Sequence, residues 1–121
     1  MARITGLGGV FFKCDDPQAL SAWYRDVLGL TIEDWGGAML KRQPDAPPQA
    51  VWAPFPSDTD YFAPSGHAFM INFAVDDLDG MIRQIEAKGV AIIGRQEMKD
   101  IGRFAWLLDP AGAKVELWQP A

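Results

Sequence analysis

Hydrophobic residues recur at helical spacing in two stretches of the chain. The first stretch follows Asp16 and Pro17, and its apolar positions are Leu20, Trp23, Tyr24, Val27 and Leu28. An aspartate followed by proline is typical of a helix start, because the carboxylate caps free N–H groups and proline has no N–H to leave unpaired. The second stretch follows Asp77, and its apolar positions are Leu78, Met81, Ile82 and Ile85. Gly29 and Gly89 come after these stretches, so the pattern predicts one amphipathic helix in each half of the chain.

Strand-like stretches surround each predicted helix. In the first half they are residues 4–14, two short stretches within 30–42, and residues 50–54. In the second half they are residues 68–75, 90–93, 104–108 and 113–118. The last two flank Asp109–Gly112, a turn in which proline presets the first dihedral and glycine accepts a positive φ. Each half therefore has the order β-α-β-β-β, which predicts an α+β fold.

The two halves also repeat in sequence at a constant offset of 61 positions (73 − 12, 75 − 14, 77 − 16). The matching pairs are Phe12 and Phe73, Cys14 and Val75, and Asp16 and Asp77. An internal repeat indicates two equivalent structural units. We therefore predict a single domain, residues 1–121, made of module one (1–54), a linker (55–67) and module two (68–121). Function is expected in the groove between the modules.

Composition excludes several classes of partner. The net charge of −5 and the pI of 4.6 argue against nucleic acid and against an anionic membrane surface. No apolar run is long enough to span a bilayer, and the first residues lack the apolar core of a signal peptide. Cys14 is the single cysteine and cannot form an intrachain disulfide, so we expect a reducing, cytoplasmic location.

Three segments resemble the vicinal oxygen chelate superfamily, which includes glyoxalase I, extradiol dioxygenases, fosfomycin-resistance enzymes and bleomycin-resistance proteins. They are Trp23–Leu30, Val75–Asp79 and Asp109–Leu117, and with the repeat they cover nearly the whole chain. The resemblance implies two βαβββ modules in tandem, whose curled mixed sheet forms a cup with the helices outside. It also implies a homodimer, and it leaves open whether each cup is built within one chain or between two.

Metal-dependent members of that superfamily commonly hold their ion with two histidines and a glutamate inside the cup. The corresponding positions here are Gly9, Met70 and Glu116, with a fourth near Trp52. Glycine has no side chain, tryptophan offers no lone pair, and a thioether is too soft for these cations. We therefore expect no standard metal triad and no cofactor. A divalent ion held in another way stays open, with His67, the single histidine, as its best additional ligand.

Strand alternation identifies the side chains that would face the cup. Val10, Phe12, Cys14, Ile71, Phe73, Val75, Val115 and Leu117 fall on the core face. The opposite face gives Phe11, Lys13, Met70, Asn72, Glu116 and Trp118, and the resemblance adds Trp52 at the fourth position, so these seven are the candidate ligand-binding residues. This surface is largely apolar and aromatic with few polar groups, as expected of a site that binds an organic molecule by stacking and one or two hydrogen bonds.

Three hypotheses for the function follow. The leading one is a protein that binds a small organic molecule without a metal, of the sequestration or resistance type, as the resemblance to bleomycin-resistance proteins implies. The alternative is a glyoxalase-like lyase or isomerase with Glu116 as catalytic base and a non-standard metal site that includes His67. The third is a collapsed cup that serves only as an interaction module. A purely structural Glu116, paired with Lys114, Lys13 or Arg103, also stays open.

Overall fold

A computed structural model describes all 121 residues and contains two helices and one four-stranded sheet. The helices are α1 (Pro17–Leu28) and α2 (Leu78–Ala87). The strands are β1 (Ile71–Ala74), β2 (Gly94–Met98), β3 (Gly102–Leu108) and β4 (Lys114–Pro120). The sheet order is β1-β4-β3-β2, with β1 parallel to β4 and the other pairs antiparallel. The predicted α+β class and mixed sheet are confirmed.

Both helices begin and end where the sequence predicts. The carboxylate of Asp16 accepts a hydrogen bond from the Ala19 N–H at 3.0 Å, and Asp77 does the same for Gly80. Gly29 follows α1 with φ of 78°, a left-handed conformation that glycine adopts without a steric cost. These capping residues set where each helix begins and ends, because they provide hydrogen bonds to backbone groups that have no partner within the helix.

Module two folds in the predicted order, β1-α2-β2-β3-β4. Two strands differ from the prediction, since the strand predicted over 68–75 is shortened to Ile71–Ala74 and the one predicted over 90–93 lies later, at Gly94–Met98. Val90 and Ile92 instead pack against the core and lead the chain from α2 back to the sheet. The Ile93 N–H donates to the Trp106 carbonyl at 2.8 Å, so pairing begins just before β2.

Module one forms its helix but none of its predicted strands. Residues 4–14, 30–42 and 50–54 contain no strand, and no backbone hydrogen bond joins residues 4–13 or 50–54 to another segment. Apolar side chains in these segments are exposed, with Phe11 at 95% and Trp52 at 82%. These segments do not pair with the sheet, and the outer edge of β1 stays free, so their backbone groups have no strand partner. The tandem arrangement of two equal modules is thus not confirmed, and the division at residues 54 and 68 stays a prediction.

The hydrophobic core lies between the helices and one face of the sheet. It combines Leu20 and Tyr24 of α1, Leu78, Ile82 and Ile85 of α2, and Ala105, Leu107, Val115 and Leu117 of β3 and β4. Only Leu20 and Tyr24 among the 15 buried residues come before Leu78. The predicted core positions Val115 and Leu117 are confirmed, and Cys14, Phe73 and Val75 pack against the core. The prediction is wrong for Val10 and Phe12, which are exposed because residues 4–13 do not pair with the sheet. Neither helix is long and apolar enough to cross a membrane.

A buried hydrogen bond joins α1 to the turn between β3 and β4. The Tyr24 hydroxyl donates to Asp109 Oδ2 at 2.6 Å, while Asp109 Oδ1 accepts from the N–H groups of Ala111 and Ala113. Burial raises the pKa of Tyr24, and the hydrogen bond to Asp109 raises it further. The phenol therefore stays protonated and serves as a permanent donor to the carboxylate.

We predict that Tyr24→Phe destabilises the protein by about 1–3 kcal/mol, because it leaves Asp109 Oδ2 buried without its donor. The measurement is the urea midpoint at fixed protein concentration. Asp26→Asn is the control, since Asp26 is an exposed carboxylate paired with Arg25 on the surface of α1. Equal midpoints for Tyr24→Phe and Asp26→Asn would contradict a structural role for the buried bond.

Candidate functional site

The sheet face opposite the helices carries an aromatic row with one carboxylate. We call Asn72, Phe104, Trp106, Glu116 and Trp118 the aromatic face. Strand register sets their positions, because Glu116 on β4 lies opposite Asn72 on β1 and opposite Trp106 on β3. Phe104 lies opposite Trp118 in the same way. These side chains alternate with core residues such as Val115 and Leu117, so the pleat of the sheet keeps them on one side.

The three rings of the aromatic face are nearly parallel. The Phe104 ring centroid lies 6.1 Å from that of Trp106 and 6.3 Å from that of Trp118, with interplanar angles of 8° and 10°. The Trp118 indole N–H donates to the Ile101 carbonyl at 2.9 Å, which fixes the orientation of that ring. Phe104 and Trp106 are buried, whereas Trp118 is half-buried and accessible. A planar molecule can therefore stack on Trp118 without a rearrangement of the sheet.

Glu116 is a buried carboxylate, 6% exposed, that accepts hydrogen bonds from three neutral donors. Its Oε1 accepts from the Trp106 indole N–H at 2.9 Å and from the Tyr61 hydroxyl. Its Oε2 accepts from the Asn72 amide at 2.6 Å. Every buried polar side-chain atom in the protein has a partner, and Glu116 is no exception. The carboxylate is therefore held in one orientation, with its charge shared among donors from three parts of the chain.

The predicted linker supplies one of these donors, Tyr61. Burial raises the pKa of Tyr61, and the hydrogen bond to Glu116 adds to that effect, so the phenol remains a neutral donor. The Lys114 ammonium donates to the Tyr61 carbonyl at 2.7 Å and lies 5.2 Å from the Trp106 ring centroid. Residues 55–67 thus form part of the site and do more than connect two modules.

No cation forms an ion pair with Glu116. Lys114 bonds the backbone of Tyr61 instead, and Arg103 pairs with Asp79 of α2 at 2.7 Å on the opposite face. Lys13 lies on an exposed segment. The alternative in which Glu116 forms an ion pair with Lys114, Lys13 or Arg103 is therefore not found, because neutral donors bond both of its oxygens.

The structure brings together only some of the predicted site residues. Asn72, Glu116 and Trp118 share the aromatic face, and Met70 lies half-buried immediately before β1. Phe11, Lys13 and Trp52 lie on the unpaired segments of module one, exposed to solvent, and no neighbour in the chain covers them. The role of all seven residues in binding stays a prediction.

Sequence reasoning missed Tyr61, Phe104 and Trp106. Phe104 and Trp106 alternate with the buried Ala105 and Leu107, so the same period-two argument used for β4 could have found them. Tyr61 had no such signal, because it lies in an irregular segment whose course depends on turns at several polar residues.

The donor set does not fit the divalent ion that the superfamily resemblance implies. His67 Nε2 lies 2.7 Å from the Ala111 carbonyl, so this ring donates to the turn between β3 and β4. Gly9 and Met70 offer no suitable ligand, and Glu116 already accepts three hydrogen bonds. No group of three or more His, Cys, Asp or Glu side chains is arranged to hold a metal.

A cavity of about 350 Å³ lies between α2, β2 and the start of β3, and Phe104 is the one residue that it shares with the aromatic face. Its polar lining is Arg95, Gln96, Glu97 and Arg103, and three of these side chains are already engaged in surface ion pairs. It contains no stacked ring pair and no buried carboxylate. The aromatic face, with its oriented acceptor, is the better candidate site.

Comparison with known proteins identifies relatives in both sequence and fold. The chain matches the sequence profile of the Glyoxalase/Bleomycin resistance protein/Dioxygenase superfamily over residues 6–117. The curated protein "Putative glyoxylase CFP32" of Mycobacterium tuberculosis (strain CDC 1551 / Oshkosh) is 28% identical over 118 residues, which cover 91% of this chain and 44% of that protein. The chain therefore spans less than half the length of the curated relatives it matches.

Several solved structures share the fold. TnmS3, an antibiotic binding protein from Streptomyces sp. CB03234, is 24% identical with a TM-score of 0.56, covering 89% of each chain. Lactoylglutathione lyase from Agrobacterium tumefaciens is 21% identical with a TM-score of 0.55, covering 87% of this chain and 86% of that one. A domain from Frankia sp. EAN1pec is 16% identical with a TM-score of 0.59, covering 98% and 100%. The chain belongs to the glyoxalase/bleomycin resistance protein/dioxygenase superfamily, as its motifs predict.

Proposed function

We propose that this protein binds a planar, largely apolar organic molecule on the aromatic face and sequesters it without chemical change. The observation that carries this proposal is the buried carboxylate of Glu116, held in one orientation by neutral donors beside a row of parallel rings. The rings supply stacking surface, and Glu116 supplies one fixed acceptor that orients the ligand. Few precisely placed polar groups in an apolar surface are typical of small-molecule sites.

The bonding of Glu116 favours binding over the alternative, a lyase or isomerase that uses this residue as a base. Three donors surround the carboxylate, so a substrate C–H could approach it only after one of them left, whereas a ligand O–H can take the place of one as a donor. Oε1 of Glu116 already accepts from Tyr61 and Trp106, and Oε2 accepts from Asn72. The antibiotic-binding TnmS3, which shares this fold, supports the proposal as a precedent for binding on such a scaffold.

We predict that Trp118→Leu weakens the binding of 2-naphthol about three- to tenfold, because an aromatic contact is worth about 0.5–1.5 kcal/mol beyond its buried area. Isothermal titration calorimetry provides the dissociation constants. Trp35→Leu is the matched control, since Trp35 is 68% exposed and lies in a turn outside the aromatic face. The proposal fails if the wild-type protein does not bind 2-naphthol, or if both tryptophan variants lose the same affinity.

As part of this proposal, the functional unit is a homodimer. The chain has an accessible surface of 9045 Å², whereas a compact chain of 13.3 kDa exposes roughly 6,500 Å². The excess of roughly 2,500 Å² is what one protomer buries in a large obligate dimer. Much of this surface is apolar and lies on module one, including Ile4, Val10, Met39, Leu40 and Val51. A second copy of the chain is the occupant that would cover it.

The free edge of the sheet gives that second copy a place to bind. β1 pairs with β4 on one side only, so the backbone groups on its other side have no strand partner. Residues 4–14 have β-like composition and unpaired backbone groups. If they paired with the free edge of β1, the backbone groups of both segments would form hydrogen bonds. In this arrangement a partner's Phe11, Lys13 and Trp52 complete the cup over the aromatic face. Each cup is then built between two chains.

We predict a molar mass near twice 13.3 kDa in light scattering at about 10 µM protein, the regime expected of an obligate dimer. Val10→Asp should shift the population to monomer, because it places a charge in an apolar segment that is exposed in the single chain. Gln84→Asp, at an exposed position of α2, should leave the dimer intact. A monomeric wild-type protein under these conditions would rule out the shared cup.

A further inference from the structure

We propose that residues 55–67 form a lid, and that the Tyr61 phenol occupies the position in which the hydroxyl group of an aromatic ligand binds Glu116. This inference rests on the proposed function and names the ligand class, a planar aromatic compound with a neutral hydroxyl donor. Tyr61 is then an internal substitute for the ligand, and the ligand must displace it.

The three donors to Glu116 differ in how firmly they are held. Asn72 and Trp106 lie on β1 and β3 directly opposite Glu116, so strand pairing fixes both. Tyr61 lies in a segment with no helix or strand. The internal backbone bonds of this segment are turns, such as Ala63 N–H to the Asp60 carbonyl and Ser65 N–H to the Phe62 carbonyl. Tyr61 is therefore the donor that can leave without opening the sheet.

The His67 ring donates to the Ala111 carbonyl at 2.7 Å and anchors the C-terminal end of the lid, so opening is confined to the part around Tyr61. Few other contacts hold that part over the aromatic face. The Lys114 ammonium bonds the Tyr61 carbonyl, and the Tyr61 ring meets that of Trp106 edge to face, with centroids 6.3 Å apart at 90°. Phe55 stacks on the outer side of Tyr61 with centroids 5.5 Å apart and is itself 45% exposed. Removal of Tyr61 from this position would uncover Trp106, which is 9% exposed, and extend the stacking surface beyond Trp118.

The charges around the Tyr61 hydroxyl favour a ligand with a neutral donor at that position. Lys114 lies within 5.3 Å of the Tyr61 and Trp106 ring centroids, so one cation already accompanies the single carboxylate of the face. An anionic ligand would direct acceptors at Glu116, and a cationic one would meet the Lys114 ammonium. A hydroxyl on an aromatic ring reproduces both features of Tyr61, which are the O–H donor and the flat ring packed against Trp106.

A closed lid lowers the observed affinity, because only the open fraction of the protein can bind. Tyr61→Phe keeps the ring but removes the hydroxyl, and with it the bond that closes the lid on Glu116. The variant should therefore bind an aromatic hydroxyl compound more tightly than the wild-type protein. Such a gain is the opposite of what the loss of a ligand contact would produce.

The test uses calorimetric titration of the 121-residue chain with 2-naphthol and with 2-methoxynaphthalene, which keeps the rings and the oxygen but has no donor. We expect 2-naphthol to bind Tyr61→Phe about tenfold more tightly than wild type, as for a lid that is closed about nine-tenths of the time. In Tyr61→Phe, 2-naphthol should bind about tenfold more tightly than its methyl ether. Asp58→Asn, an exposed change in the same segment, should match wild type.

Amide hydrogen exchange provides a second readout. Saturation of the wild-type protein with 2-naphthol should accelerate exchange across residues 57–66, because the ligand releases the segment. Equal affinity of wild type and Tyr61→Phe, or equal affinity for the two compounds, would overturn the lid and its ligand class while leaving aromatic binding intact. Absence of binding of either compound to any variant would overturn the proposed function as well.

Discussion

The buried carboxylate of Glu116 and its three neutral donors form the interaction on which the site depends. A buried charge without partners is strongly destabilising, so the fold must supply donors at fixed positions. Here they come from β1, from β3 and from the irregular segment 55–67. Because two of the donors are opposite Glu116 in strand register, a slip of one residue would turn them to the other face of the sheet. The carboxylate thus links strand register to the orientation of the aromatic face.

A second buried carboxylate, Asp109, has a different role. It accepts from Tyr24 of α1 and from two backbone N–H groups of its own turn, and it lies at the end of β3. His67 bonds the Ala111 carbonyl in the same turn. Asp109 and His67 therefore fix the hairpin, while Glu116 faces the aromatic surface. Sequence reasoning placed Glu116 and His67 in one candidate metal site. In the structure Glu116 lies on the aromatic face, whereas His67 bonds the turn between β3 and β4.

The sequence predicts the parts of this fold that local physics determines. Asp16 and Asp77 cap helices because each satisfies nearby N–H groups, and Val115, Glu116 and Leu117 take alternate faces because a strand has a period of two. It predicts less well what depends on distant neighbours. Residues 4–14 have β-like composition, yet they form no strand and make no backbone hydrogen bond to the sheet. Tyr61 reaches Glu116 through turns that no periodic pattern reveals.

The central claim is that Glu116 serves as an acceptor for an organic ligand and not as a metal ligand. Calorimetric titration of metal-stripped protein with Zn²⁺, Ni²⁺ and Mn²⁺ tests it most directly, with Glu116→Gln measured in parallel. We expect the two proteins to give the same heats, with no stoichiometric binding, because neither Gly9 nor Met70 can add a suitable ligand to Glu116. One ion bound per chain in the wild-type protein and lost in Glu116→Gln would contradict the account and favour the lyase alternative.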